Sequence, residues 1–394
     1  MAAQADTPPI GSPATESGPS AARLAAVARD AVLHDERSVR DERSVRDGRS
    51  VGDERSVEGV LGDARAGEQS SQGVLGDARE GERSNQSVLG GVPRRVVAGD
   101  TVLVACSGGA DSLALAVAAL FVARRIGVRC GLVTVDHRLQ DGSGDRAAEL
   151  ADWAVERGFS PVQVRSVRVG GSGGPEAAAR EARYAALEAA AVEHGAVMVL
   201  LGHTRDDQAE TVLLALARGS GPRGLAGMPE RRVRNGVLFV RPLLDVSRAE
   251  TRAACAAEGL TVWDDPHNVD VAYARSRVRP LVAALGEGVV DNLARTARLI
   301  GADSAFLDGL AADALAKAVT EGGGLAVAEL ERMPGPIRTR VLHAWALGLG
   351  APGTDLSYRH VEALEQLIVR WHGQGAVALP GGLSVSRTGG QLRG

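Results

Sequence analysis

Lysine is almost absent from this chain of 394 residues: Lys317 is the only one, and every other fixed positive side chain is arginine. That pattern fits GC-rich codon usage, and it excludes any scheme that needs a lysine beside a glycine-rich turn, such as the GxxxxGKS/T phosphate loop. Cysteine is scarce as well. Cys106, Cys130 and Cys255 are far apart and form no CxxC pair, which argues against a disulfide framework, a zinc ribbon or an iron–sulfur centre. Aromatic residues make up 3%, so base-stacking platforms are few. No apolar run is long enough to span a bilayer. The opening MAAQADTPPIGSPATESGPS lacks the basic start and apolar core of a secretory signal, so a cytoplasmic location and no membrane partner are expected. Excess charge is missing too: 45 basic and 49 acidic residues leave a formal net of −4, which excludes a polybasic nucleic-acid coat.

What is present is unevenly distributed. Residues 1–19 are rich in Pro, Ser and Ala and read as a disordered tail, while 20–34 read as an amphipathic helix with Leu24, Val27 and Ala31 on one side. Repeats follow. Glu36-Arg-Ser-Val-Arg-Asp41 recurs at 42–47, and Val60-Leu-Gly-Asp-Ala-Arg65 recurs at 74–79. Each unit has one or two apolar residues and cannot bury a stacked core. Residues 35–95 are therefore expected to be a low-complexity disordered insertion without a catalytic role.

From Thr101 apolar runs alternate with Ala-rich helical patterns: 101–106, 128–137, 161–169 and 196–203, each followed by a helix. Four β-then-α units predict an α/β fold, a Rossmann-like parallel sheet with helices on both faces. Residues 96–280 form this catalytic domain in our reading, with the 20–34 helix belonging to it. Residues 281–394 form a smaller, mainly helical domain, with helices at about 291–318, 334–348 and 357–371 and a hairpin in AVALPGGLSVSR.

Ligands of such sheets bind where strands hand over to helices, and the polar motifs fall there. Ser107-Gly108-Gly109-Ala110-Asp111-Ser112 follows the first strand. Two glycines allow close backbone approach, and the helix start aims its free N–H groups at the same spot. The turn is either a phosphate cradle, with Asp111 implying Mg²⁺-nucleotide, or a tight turn with a helix cap. Asp136 and His137 end the second strand, as a ribose contact or a capping group. Glu176, Arg180 and Tyr184 recur at four-residue spacing, and with Arg183 they form either a solvated stripe or a face turned to a polyanion. After the fourth strand, His203 precedes Asp206, Asp207 and Glu210. These carboxylates suit a metal or an ammonium group, although the helix dipole alone accounts for aspartates in a first turn. Downstream, Arg218 to Gly224 and Arg231 to Arg234 are expected to form a glycine-rich basic loop, followed by Arg241-Pro242-Leu243-Leu244 and by Asp264 to Asn268 leading to Arg275, Arg277 and Arg279. Arginine is the natural phosphate contact, and ordinary surface charge is the plain alternative.

Taken in order, SGGADS, VDHRL, the Glu176/Arg180/Tyr184 helix, GHTRDDQAET, RPLL and DPHN…RSRVR resemble the tRNA(Ile)-lysidine synthetases of the PP-loop ATP pyrophosphatase superfamily. The resemblance covers about residues 98–280 closely and the remainder loosely. It implies that ATP adenylates the carbonyl oxygen of the wobble cytidine of a tRNA(Ile) with a CAU anticodon, releasing diphosphate. The amine of free L-lysine then displaces AMP to give lysidine. It further implies that Ser107, Gly108, Gly109, Ala110, Asp111 and Ser112 hold ATP, with Asp136, His137 and His203 lining the nucleotide pocket. Asp111, Arg180, Asp206, Asp207 and Glu210 become the catalytic set, Asp111 and Asp207 the Mg²⁺ ligands. Arg218, Arg223, Arg275 and Arg279 would meet tRNA, and a homodimer is the assembly entertained. This chain differs from the pattern at Gln140 and Ser276, where arginine and asparagine are usual. A third, C-terminal domain of some relatives is expected to be missing, so tRNA contacts are expected mainly in 281–394. Two rivals remain: another PP-loop tRNA-modifying enzyme, such as a thiolase, which the lack of paired cysteines disfavours, and a non-catalytic nucleotide binder, which would not need the full acidic set.

Overall fold

The computed structural model describes residues 19–33, 96–138, 142–167, 170, 175–264, 274–353 and 355–394. The repeats of 35–95, Gln140 and the Asp265–Asn268 segment lie outside them. The chain forms two compact units, one holding residues up to Ser107 with Leu115–Leu201 and Arg231–Val240, the other Gly108–Ala114, Gly202–Glu230 and Arg241–Gly394.

The first unit is built on a six-stranded sheet. Its opening helix, α1 (Pro19–Leu33), turns Leu24, Ala28, Ala31 and Val32 inward. Strands and helices then alternate: β1 (Thr101–Ala105), α2 (Ala110–Ile126), β2 (Arg129–Asp136), α3 (Ser143–Arg157), β3 (Val162–Ser166), α4 (Pro175–Glu193) and β4 (Ala196–Leu201). All four strands are parallel, and the helical connections between them accord with that; β1, β2 and β4 are largely buried runs of apolar residues, while β3 lies half-exposed at the sheet edge. The sheet has two further members. After α5 (Arg205–Ala217) and the short α6 (Pro222–Leu225) come β5 (Arg231–Arg234) and β6 (Val237–Val240), giving the order β3-β2-β1-β4-β6-β5. β6 runs parallel to β4, and β5 closes the edge antiparallel.

The Arg231–Arg234 segment, expected to be a basic loop, is thus an edge strand. Charged side chains on an edge also keep it from pairing with other chains. Leu103, Val133, Val199, Leu201 and Phe239 of the sheet pack against Tyr184, Leu187, Ala190 and Ala191 of α4. Tyr184 is 2% exposed and meets Phe239 edge-on at 5.0 Å. It is a core residue and cannot belong to a face presented to a polyanion. The Glu176 backbone is helical within α4.

In the second unit a 3₁₀ turn (Pro242–Asp245) leads to α7 (Arg248–Ala257), α8 (Ala274–Leu285) and the 32-residue α9 (Glu287–Ala318). Next come β7 (Leu325–Ala326), α10 (Val327–Arg332), α11 (Gly335–Gly348), α12 (Tyr358–Val369), β8 (Val377–Leu379), β9 (Leu383–Thr388) and β10 (Gln391–Arg393). The expected hairpin is β8–β9, and it belongs to a four-stranded sheet ordered β7-β10-β9-β8. Leu330, Val341, Leu342, Leu364, Leu367, Val385 and Leu392 form its core. No helix among the described residues is long and apolar enough to cross a membrane.

Candidate functional site

Two turns of the second unit meet closely. One carries Gly108 to Ala110 into the first turn of α2, and the other carries Gly202 to Thr204 into α5. Gly108 has a φ of 82°, a conformation that suits glycine, and its carbonyl accepts the Trp263 N–H at 3.0 Å. Ser112 Oγ donates to the Gly109 carbonyl at 2.9 Å. At Gly202 a Cβ would stand 3.0 Å from the carbonyl oxygen of Asp111, so a side chain there would push the turns apart.

The start of α5 is held by a reciprocal cap. Thr204 N–H donates to Asp207 Oδ2 at 2.8 Å, while the Thr204 hydroxyl receives the Asp207 N–H. One oxygen of Asp207 therefore has a structural duty, and the other faces a cation. That cation is Arg248, the first residue of α7. Its guanidinium lies 3.0 Å from Asp207 Oδ1, 3.2 Å from Glu210 Oε1 and 3.8 Å from Asp111 Oδ2, and its backbone N–H donates to Asp206 Oδ2 at 2.8 Å. Arg279 Nε adds a second contact to Glu210 Oε1 at 3.1 Å. The side chain of Glu210 is fully buried, and its Oε2 has no hydrogen-bond partner among the described residues.

Asp111 and Asp207 respond differently to one environment. Burial pushes Asp111 up to about 6, outweighing the hydrogen bond from Thr251 and the pull of Arg248. Burial also opposes ionisation of Asp207, but Arg248, His203, the Thr204 amide and Arg275 hold it below the usual carboxylate range. The Arg248 guanidinium, desolvated yet surrounded by Asp207, Glu210, Asp111 and Asp206, stays above its ordinary value. Four acids against Arg248, Arg279 and Arg275 leave the site with an excess of carboxylates, the setting in which a divalent cation or an ammonium group is attracted. No three His, Cys, Asp or Glu side chains among the described residues converge as a metal cage, so a hard cation here would need ligand oxygens from a substrate.

The remaining sequence-predicted residues divide as follows. Asp111, Asp206, Asp207, Glu210 and Arg279 come together in the second unit, where His203 is also buried. In the first unit, the Asp136 carboxylate accepts the Arg138 N–H at 2.9 Å, a capping contact at a strand end, and His137 follows it. Arg180 lies beside the Tyr184 ring, its guanidinium 5.2 Å from the centroid. Arg218 is exposed at the end of α5.

Several arginines read as phosphate contacts are internal struts. Arg241 is 1% exposed and donates to the Pro229 carbonyl, Arg234 pairs with Glu181 and Glu188, and Arg231 donates to Ala31. Arg223 is exposed, and at the surface it joins Asp308 at 2.7 Å and His343 at 2.9 Å. Arg248 is the site residue that sequence reasoning missed. Its Ser247-x-x-Glu250 capping box marked a helix start, but nothing local linked it to acids 38 to 137 residues upstream.

The profile of the PP-loop domain family matches residues 84–285, and that of the TilS substrate binding domain matches 325–393. The tRNA(Ile)-lysidine synthase of Salinispora tropica is 62% identical over 297 residues, covering 74% of this chain and 89% of its own. This chain belongs to the tRNA(Ile)-lysidine synthase family. The proteins of that name from Streptomyces coelicolor and Thermobifida fusca are 55% and 51% identical, over 84% and 93% of their lengths. Among solved structures, a U34-tRNA thiolase, NcsA of Methanococcus maripaludis, covers 52% of this chain and 72% of its own at 18% identity and a TM-score of 0.44. Cys106, Cys130 and Cys255 are buried and form no disulfide with one another, and burial pushes the Cys130 thiol up to about 12, a poor setting for sulfur transfer.

Proposed function

We propose that this protein ligates free L-lysine to the wobble cytidine of tRNA(Ile) bearing a CAU anticodon, consuming ATP and releasing AMP and diphosphate. Membership of the lysidine synthase family supports the reaction class. The convergence of Asp111, Asp206, Asp207 and Glu210 on Arg248 is the observation that carries the assignment of residues.

In the first step the base carbonyl oxygen attacks the α-phosphorus of ATP and diphosphate leaves. In the second, the lysine amine attacks the activated carbon, the C–O bond breaks with departure of AMP, and the nitrogen gives up a proton. The turn of Ser107, Gly108, Gly109, Ala110 and Ser112 is assigned to the ATP phosphates, through backbone N–H groups and hydroxyls at a helix start. Asp136, His137 and His203 are assigned to the nucleoside, Arg180 to the activated base or its phosphate.

Mg²⁺ fits the donor set, since Asp111 and Asp207 offer hard oxygens at a site with an excess of carboxylates; when bound it supplies charge against the polyphosphate. Asp206 and Glu210 are assigned to the lysine ammonium, with Arg248 setting how much of their charge is left for it. Arg218, Arg223 and Arg275 are assigned to tRNA phosphates, whereas Arg279 is held by the buried Glu210 and serves tRNA indirectly.

The test is pyrophosphate exchange into ATP in the presence of tRNA(Ile) with CAU and no lysine. Asp111→Ala is expected to abolish exchange while its circular dichroism stays that of the parent. Retained exchange would remove Asp111 from the site.

A further inference from the structure

Helix α7 turns one face to the two turns of the site. Arg248, Thr251 and Cys255 stand at i, i+3 and i+7 and share that face. Each makes a contact there. The Arg248 N–H donates to Asp206 Oδ2 at 2.8 Å, the Cys255 thiol to the Ala110 carbonyl at 3.3 Å, and the Thr251 hydroxyl to Asp111 Oδ1. Thr251 is fully buried, and no motif of the sequence singles it out.

The Thr251 hydroxyl has two acceptors in reach, Asp111 Oδ1 and the Arg248 carbonyl one turn back at 2.9 Å. A helical threonine satisfies itself on such a carbonyl and needs nothing further. Asp111 has the greater need. Its carboxylate is mostly buried, Thr251 supplies the hydrogen bond to Oδ1, and Oδ2 lies 3.8 Å from Arg248 Nε, beyond hydrogen-bond reach. A hydroxyl carries one hydrogen, and an ionised carboxylate is a stronger acceptor than a backbone carbonyl. The hydrogen therefore goes to Asp111 whenever that group is charged.

We infer that Thr251 is a positioning residue for Asp111: its hydroxyl holds Oδ1, fixes the plane of the carboxylate and leaves Oδ2 as the oxygen offered to the Mg²⁺ that accompanies ATP. Without the hydroxyl the carboxylate is free to rotate and to spend either oxygen on Arg248, so it offers a cation a less organised ligand. The inference rests on the assignment of Asp111 to Mg²⁺. It adds a residue on another helix, 140 residues downstream, that acts through Asp111 rather than on the substrate.

Isothermal titration calorimetry of ATP on the full chain, in Mg²⁺ and in EDTA and without tRNA or lysine, tests both levels. Mg²⁺ is expected to tighten ATP binding by the parent, and Asp111→Asn to remove that gain. Thr251→Val keeps the shape of the side chain and loses the hydroxyl. It should weaken binding about tenfold in Mg²⁺ and less than about twofold in EDTA. Thr251→Ser keeps the hydroxyl and should return to within about twofold of the parent. On the Asp111→Asn background Thr251→Val should have no further effect, whereas a structural threonine would act with or without the carboxylate. If Thr251→Val does not fold, Thr251→Ala, which fits the same space, carries the same expectation.

Parent-like binding in Mg²⁺ by Thr251→Val would overturn the inference and leave Asp111 in its role. Equal weakening in Mg²⁺ and EDTA, or an undiminished effect on the Asp111→Asn background, would make Thr251 structural and overturn it as well. An Asp111→Asn protein that keeps the full Mg²⁺ gain would remove the assignment of Asp111, and the inference with it.

Discussion

Asp111 retains its proton to higher pH than an exposed aspartate because burial penalises its charge more than Thr251 and Arg248 favour it. The consequence for stability has a definite sign. Between about pH 4 and 6 the folded chain binds a proton at Asp111 that the unfolded chain has released, so this group stabilises the fold as pH falls through 6. Above pH 6 its charge is a cost. Asp111→Asn should therefore melt higher than the parent at pH 7.5, with the gap shrinking toward pH 4.5, in calorimetric scans at both pH values. A gap that does not change with pH would contradict the assignment. Arg248 has the opposite role. Removing it leaves Asp207 and the buried Glu210 with less compensation, and Arg248→Ala is expected to cost about 3 kcal/mol in urea denaturation. Arg248→Lys keeps the charge and loses the fork, so it should fall between the two.

At the level of elements, the two turns owe their closeness to Gly202. Gly202→Ala would set a methyl group 3.0 Å from a backbone oxygen that cannot swing aside. A loss of about 1–3 kcal/mol is expected, together with reduced pyrophosphate exchange. Normal stability and exchange would show that the turns can separate freely.

The same scale shows what the sequence made legible. β1, β2 and β4 are uninterrupted buried runs with helices between them, and their apolar pattern announced them. β5 did not announce itself, because an edge strand of Arg-Arg-Val-Arg has no buried face to pattern. The acids of α5 were readable from their spacing, since i, i+3 and i+4 are fixed by the helix itself. Arg248 was not, because its contacts depend on tertiary approach of α7 to α5. Tyr184 misled for a related reason: helical spacing shows that residues share a face, not whether that face is wet or packed against Phe239.

At the scale of the whole molecule, the chain carries some 60 residues of repeats between α1 and β1 that have too few apolar side chains to build a core of their own. Replacing 36–95 by a short Gly/Ser linker is expected to leave lysine incorporation and the melting temperature within error of the parent. A large fall in either would give the repeats a role in the catalytic unit. The family assignment predicts a reaction in which the single lysine that matters arrives as substrate, while arginine, carboxylate and backbone groups do the holding. Radiolabelled free lysine, ATP and a tRNA(Ile) transcript with a CAU anticodon test this most directly. The expected result is label covalently retained on that tRNA, with AMP formed in equal amount, and none on a transcript with GAU. ATP binding without any label on the CAU transcript would contradict the proposed function.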